Sequence, residues 1–192
     1  HLSIRRQRQM CIRDSHMGEH ICFRRNERLA TVNPHWRGNP VVRGKFVNRQ
    51  HRFRPGMGSV LKWRLSPNPQ RKEKKSVKWS PKLNYLRSLD GVVGNSLIWL
   101  GHNSFFLQLA RKRIMFDPVF GDIPFVKRQS DFPANPDIFT DIDYLLISHD
   151  HFDHLDKQSV ARLVKNNPGM KLFCGLGTGE LIKGWFPELE VT

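Results

Sequence analysis

The sequence predicts an α/β domain over residues 95–192, joined to a basic, irregular N-terminal extension. Three observations predict it. Charge is split: residues 1–90 hold 22 Lys/Arg against 5 Asp/Glu, whereas residues 91–192 hold 10 against 12. Short apolar runs of strand length begin at Asn95 and recur to the end of the chain, with two helical stretches among them. A cluster of histidines and aspartates, Ser148-His-Asp-His-Phe-Asp-His-Leu-Asp156, stands directly behind one of those runs.

The elements follow in order. Residues 16–94 show no sustained periodicity and no repeat, and Asn33-Pro34, Asn39-Pro40, Pro55-Gly56 and Ser66-Pro-Asn-Pro69 punctuate them. Val60–Leu65 reads as one short amphipathic turn or strand, and Arg71-Lys-Glu-Lys-Lys75 as a solvated charge run. Ser96–Leu100, Ser104–Leu109 and Ile114–Pro118 read as three strands at hairpin spacing, with Arg111–Arg113 as a polar turn. Asp141–Ser148 reads as a fourth strand. Asp156 is placed to cap a helix running to about Lys165, with Val160, Leu163 and Val164 on one face, ended by Asn167-Pro-Gly169. Met170–Gly175 reads as a strand, Gly177–Gly184 as a short helix, and Glu188–Thr192 as the start of another strand.

Composition limits the function classes. The chain has 192 residues, a net charge of +15 and a mean hydropathy of −0.52. No stretch approaches the ~20 apolar residues of a membrane helix, and the N-terminus lacks the apolar core of a secretory signal. The three cysteines, Cys11, Cys22 and Cys174, form no CxxC and argue against both a disulfide framework and a cysteine zinc site, so a cytoplasmic location is expected. Arg5–Ser15 resembles a translated sequencing adapter, and residues 1–15 are therefore expected to be foreign to the protein. The arm stays basic without them. Such a surface suits phosphates, whether of lipid headgroups or of nucleic acid, and Trp36, Phe46, Phe53 and Trp63 among the arginines suit single strands.

The histidine cluster carries the chemistry. Zinc takes imidazole nitrogen and carboxylate oxygen. His149 and His151 are two apart, and in extended backbone such residues share a side, so both rings reach one ion. Asp153 and His154 follow where the chain turns toward the helix and reach a second ion. Asp150 is expected to point away, and Asp156 to cap the helix.

His149-x-His151-x-Asp153-His154 resembles the metal-binding signature of the metallo-β-lactamase fold superfamily. The resemblance implies an αββα sandwich with two zinc ions, His149 and His151 on the first, Asp153 and His154 on the second. Trp99-Leu-Gly-His-Asn-Ser104 and Phe116-Asp-Pro-Val-Phe120 resemble the Gly-His-x-Ser/Thr and Asp-Pro elements of the branch holding the N-acyl-phosphatidylethanolamine phospholipase D-like hydrolases. Those matches single out His102 beside Asp153 as catalytic candidates, and Asp117 as a partner that orients ligands. The superfamily pattern continues with a histidine, an aspartate and a final histidine, yet no histidine follows His154. The missing ligands are expected beyond Thr192. The chain is then the first half of a domain, inactive alone and with an open sheet face.

The implied activity of the parent is zinc-dependent hydrolysis of a phosphodiester, phospholipids included, by a metal-bound hydroxide, with peripheral membrane contact through the basic arm. The alternatives are a nuclease of the same superfamily and a non-catalytic basic binding module. Oligomeric state is not legible.

Overall fold

A computed structural model describes residues 10–13, 20–27, 33–48, 56–78, 81–123, 128 and 130–192. The chain divides into two compact units, His1–Val77 and Lys78–Thr192. Most of the adapter-like stretch, and Phe53, lie outside the described residues.

The first unit contains regular elements where sequence periodicity showed none. Strands β1 (Met10–Arg13), β2 (His20–Arg24), β3 (Asn39–Val42) and β4 (Lys45–Phe46) form an antiparallel sheet in that order. They are short, at two to five residues, and Asn39-Pro40 at the start of β3 reads as a turn in sequence. The pairing sets Cys11 opposite Cys22, and Cys22 is disulfide-bonded, contrary to what the cysteine spacing suggested. Helices α1 (Met57–Leu65) and α2 (Arg71–Ser76) follow, and neither buries a residue. Val60–Leu65 is thus helical.

The second unit positions the site. Strands β5 (Ser96–Gly101), β6 (Ser104–Leu109) and β7 (Lys112–Phe116) form an antiparallel meander. The β6–β7 turn is only Ala110-Arg111, both at positive φ (48° and 64°), and Lys112 and Arg113 already belong to the strand. A two-residue hairpin loop twists that way to match its strands, which is why the polar triplet was misread as turn throughout. Strand β8 (Tyr144–Ile147) adds parallel to β7. Helix α3 (Lys157–Asn166), strand β9 (Lys171–Cys174), helix α4 (Leu176–Trp185) and strand β10 (Glu190–Val191) complete a six-stranded sheet, with β8, β9 and β10 mutually parallel.

The two faces of this sheet differ. Ile98, Phe106, Met115, Leu145 and Leu172 lie in register across five strands on one face, where they pack with Val160 and Leu163 of α3 and Ile182 of α4. Leu89, upstream of β5, is also buried in this core. On the other face runs the row Trp99, Phe105, Phe116, Leu146 and Phe173. It is apolar but open: Trp99 is 55% and Phe173 40% exposed. One helical layer on one sheet is the first αβ pair of the expected sandwich, and the bare face is the one a second sheet would cover.

Candidate metal centre

The site is built where β7 and β8 end. The parallel ladder runs one step past the strands, Asp117 N donating to Leu146 O at 3.0 Å. There Asp117 takes a left-handed backbone (φ 40°), a conformation that aspartate tolerates better than most residues. Its side chain turns back across the strand end. Oδ1 accepts from Ser148 N at 2.8 Å, and Oδ2 accepts from Ser148 Oγ at 2.7 Å and from His154 Nδ1 at 2.9 Å. Asp117 is 8% exposed. A buried carboxylate is stable only when its lone pairs are satisfied in this way.

After β8 the chain passes through His149 and His151 and closes a tight turn. His154 N and Leu155 N both donate to His151 O, at 2.9 and 2.7 Å. Leu155 is buried, anchoring the turn to the core. Asp156 then caps α3, its Oδ2 accepting from Ser159 N at 2.9 Å, as the sequence indicates. The turn therefore folds Asp153 and His154 back beside His149, whose ring lies 4.0 Å from that of His154, centroid to centroid.

Donor and acceptor roles fix the tautomers. A carboxylate only accepts, so His154 Nδ1 and Ser148 Oγ both donate to Asp117. With its proton committed, Ser148 Oγ accepts from His149 Nδ1 at 2.9 Å. Asp117 thus sets two rings, one directly and one through Ser148, and makes Nε2 the lone-pair nitrogen of both His149 and His154. Such partners orient metal-binding imidazoles.

The hairpin turn between β5 and β6 faces the same cluster. Gly101 (φ 98°) and His102 (φ 50°) make it sharp. Trp99 Nε1 donates to His102 O at 2.9 Å, and Ser104 Oγ, fully buried, donates to Asp117 O at 2.8 Å and accepts from Val119 N at 3.0 Å. From this frame His102 Nε2 donates to Asp153 Oδ2 at 3.1 Å, and Asn103 Nδ2 to His154 Nε2 at 2.8 Å. The His102 hydrogen bond holds the Asp153 carboxyl below the usual carboxylate range, which keeps it anionic.

The donor set fits metal as two pairs. His149 Nε2 and His151 Nδ1 are 3.0 Å apart, and Asp153 Oδ2 and His154 Nε2 are 3.6 Å apart. Both lie near the roughly 3.3 Å edge of a tetrahedron with bonds of about 2.0–2.1 Å. Among the described residues no three His, Cys, Asp or Glu side chains group to hold one ion. The structure brings all six sequence candidates, His102, Asp117, His149, His151, Asp153 and His154, into one cluster, while Asp150 is exposed. Ser148 and Asn103 are members that sequence reasoning missed. Both flank quoted motif residues, and only geometry shows that their side chains turn inward.

The comparisons bear out the resemblance. Residues 112–192 match the Beta-lactamase superfamily domain. The chain is 28% identical over 160 residues to N-acyl-phosphatidylethanolamine-hydrolyzing phospholipase D 1 of Caenorhabditis elegans, covering 75% of this chain and 45% of that protein. That coverage exceeds what residues 95–192 supply, so the similarity reaches upstream of Asn95. It is 36% identical over 78 residues to a UPF0173 metal-dependent hydrolase of Sulfolobus acidocaldarius, covering 40% of this chain and 31% of that one. Among solved structures it is similar to CmlA, a diiron beta-hydroxylase from Streptomyces venezuelae, with a TM-score of 0.39 and 19% identity over 69% of this chain and 25% of that one. The chain thus spans less than half the length of these curated relatives.

Proposed function

We propose, with the superfamily resemblance as premise, that this chain carries the first ligands of a dinuclear metal centre in a metal-dependent hydrolase acting on phosphodiesters. One observation carries the reading. Asp117 and Ser148 hold two imidazoles in the tautomer that presents Nε2, and the adjacent donors stand at metal-sharing distances.

In this reading His149 and His151 hold the first ion, and Asp153 and His154 the second. Zinc suits the nitrogen-rich pair, and iron suits a mixed histidine and carboxylate set as well. Bound there, the metals supply Lewis acidity and a water of lowered pKa. The chain's residues do the rest. Asp117 and Ser148 keep the rings oriented. Asp153 stays anionic, and His102, hydrogen-bonded to it at the rim, is placed to carry a proton to or from a group bound beside Asp153. The similarity to a phospholipase D that hydrolyses N-acyl-phosphatidylethanolamine supports a phospholipid substrate. The excess of Lys and Arg in residues 1–90 supports peripheral contact with anionic membranes. Among the described residues no helix is long and apolar enough to cross a membrane.

The test is metal uptake by the chain, measured after dialysis against zinc, together with hydrolysis of a phosphodiester and of a phospholipid by the gene's full reading frame. The double variant His149→Ala, His151→Ala is expected to lose one zinc equivalent and all hydrolysis. Unchanged zinc content sinks the ligand assignment. Hydrolysis of carboxylic esters alone sinks the phosphodiester assignment.

A further inference from the structure

We infer that the Asn103 carboxamide is a built-in competitor for the second metal position: it occupies the His154 ligand atom and must swing away before an ion can bind there. The inference rests on the metal reading above and adds a residue that controls the filling of the site.

The geometry is specific. His154 Nδ1 donates to Asp117, so Nε2 carries the lone pair, and Asn103 Nδ2 donates to that lone pair at 2.8 Å. A metal bonded to Nε2 at about 2.1 Å would lie along the same direction, in space now filled by the amide. Contact and metal are mutually exclusive. Asn103 is also held in place. It sits between His102 at positive φ and fully buried Ser104, whose hydroxyl bridges Asp117 O and Val119 N. The backbone of the turn is therefore fixed, and the amide can leave only by changing its own rotamer.

Asn103 is not needed to orient the ring, because Asp117 and Ser148 already engage Nδ1, at 2.9 and 3.1 Å. Its bond therefore opposes metal binding without pre-organising it. The His149 Nε2–His151 Nδ1 pair has no comparable cap from the turn: its close partner at 3.0 Å is the other ligand. The two metal positions are thus unequal: the first is closed by a hydrogen bond between its own two ligands, His151 Nδ1 donating to His149 Nε2, and the second by a residue that is not a ligand.

The experiment has two readings on the protein expressed from the gene's full reading frame. Histidine ring nitrogen NMR of the metal-free protein reports the tautomer and the hydrogen bond at His154 Nε2. Zinc titration then reports the affinities of the two positions. Asn103→Ala is expected to move the His154 Nε2 shift, leave His149 unmoved, and tighten the weaker zinc position about 2- to 10-fold, the equivalent of one neutral hydrogen bond. Asn103→Gln, which restores a carboxamide, is expected to bring affinity back toward wild type, which a merely structural loss would not do. An unmoved His154 shift in Asn103→Ala overturns the inference and leaves the metal reading standing. A moved shift with unchanged or weaker zinc binding overturns the gate. Failure of every variant to bind zinc overturns the metal reading and the gate with it, while the tautomer data stand apart.

Discussion

The two ends of strand β8 carry similar charges for different purposes. At its N-terminal end Asp143 accepts from Lys112 Nζ at 2.6 Å and from Arg113 N at 2.9 Å, and Arg113 reaches Thr140 O and Asp141. Each acid there meets a permanent cation or a backbone donor, an arrangement that joins β7 to the loop before β8. At the C-terminal end Asp117 and Asp153 meet histidines and a serine, groups whose protons can be rearranged. A cavity of about 880 Å³, lined by Arg111, Arg113, Asp141 and Asn167 among others, lies at the first end, away from the histidines. Arg113, Asp141 and Asp143 there are already paired. Chemistry is better assigned to the second end, where ligands of open α/β sheets gather and where the hydrogen-bond partners are groups whose protons can be rearranged.

The comparison breaks most visibly at Asp117. Asp117→Asn keeps the shape and tolerates the left-handed backbone, but its amide nitrogen would face two donors, Ser148 Oγ and His154 Nδ1. A loss of about 2–3 kcal/mol is expected, read as a lower urea midpoint. His154 is expected to exchange its tautomer, visible in ring nitrogen shifts, and zinc affinity to drop about 10- to 100-fold, as for other ligand-orienting partners. Retention of the Nδ1–H tautomer would show that Asp117 does not set it. Ser148→Ala is a milder probe. It removes the link to His149 and leaves the direct Asp117–His154 bond, so about 1 kcal/mol is expected, with the His149 tautomer released and that of His154 kept. Equal disturbance of both rings would refute the relay through Ser148.

Much of this end was legible in the sequence. His149, His151, Asp153 and His154 announce themselves because metal-capable types rarely follow an apolar strand so densely, and Asp156 because a cap precedes an amphipathic run. His102 and Asp117 were legible only through resemblance, since a turn histidine and an Asp-Pro have ordinary structural uses. Asn103 and Ser148 were not legible at all. A small polar residue has no periodicity, and its role depends on a ring nitrogen 51 or 6 residues away. The fold followed the same rule. Strands of the second unit showed their apolar runs, whereas in the first unit β3 opens on Asn39-Pro40, which reads as a turn, and β4 is two residues long. The open apolar row from Trp99 to Phe173 makes the meander easy to find from sequence: with large side chains on both faces, β5 to β7 read as strands whichever face is counted.

The smallest expected effect lies at the structural end and depends on pH. Burial alone would raise the Asp143 carboxyl, but the Lys112 hydrogen bond and the Arg113 amide outweigh it and hold it below the usual range. A depressed carboxyl binds its proton more weakly in the folded chain than in the unfolded one. Its stabilisation is therefore present above the ordinary carboxylate range and lost as pH falls through and below it. Lys112 is exposed, so solvent screens the pair and the contribution is small. Asp143→Asn is accordingly expected to lower Tm slightly at pH 7 and to leave it unchanged at pH 2, where wild type has lost the same interaction. Zinc affinity at the far end of β8 should not move at pH 7. A fall in zinc affinity in this variant would mean that the two ends are coupled through the strand, and that the division of labour between them is wrong.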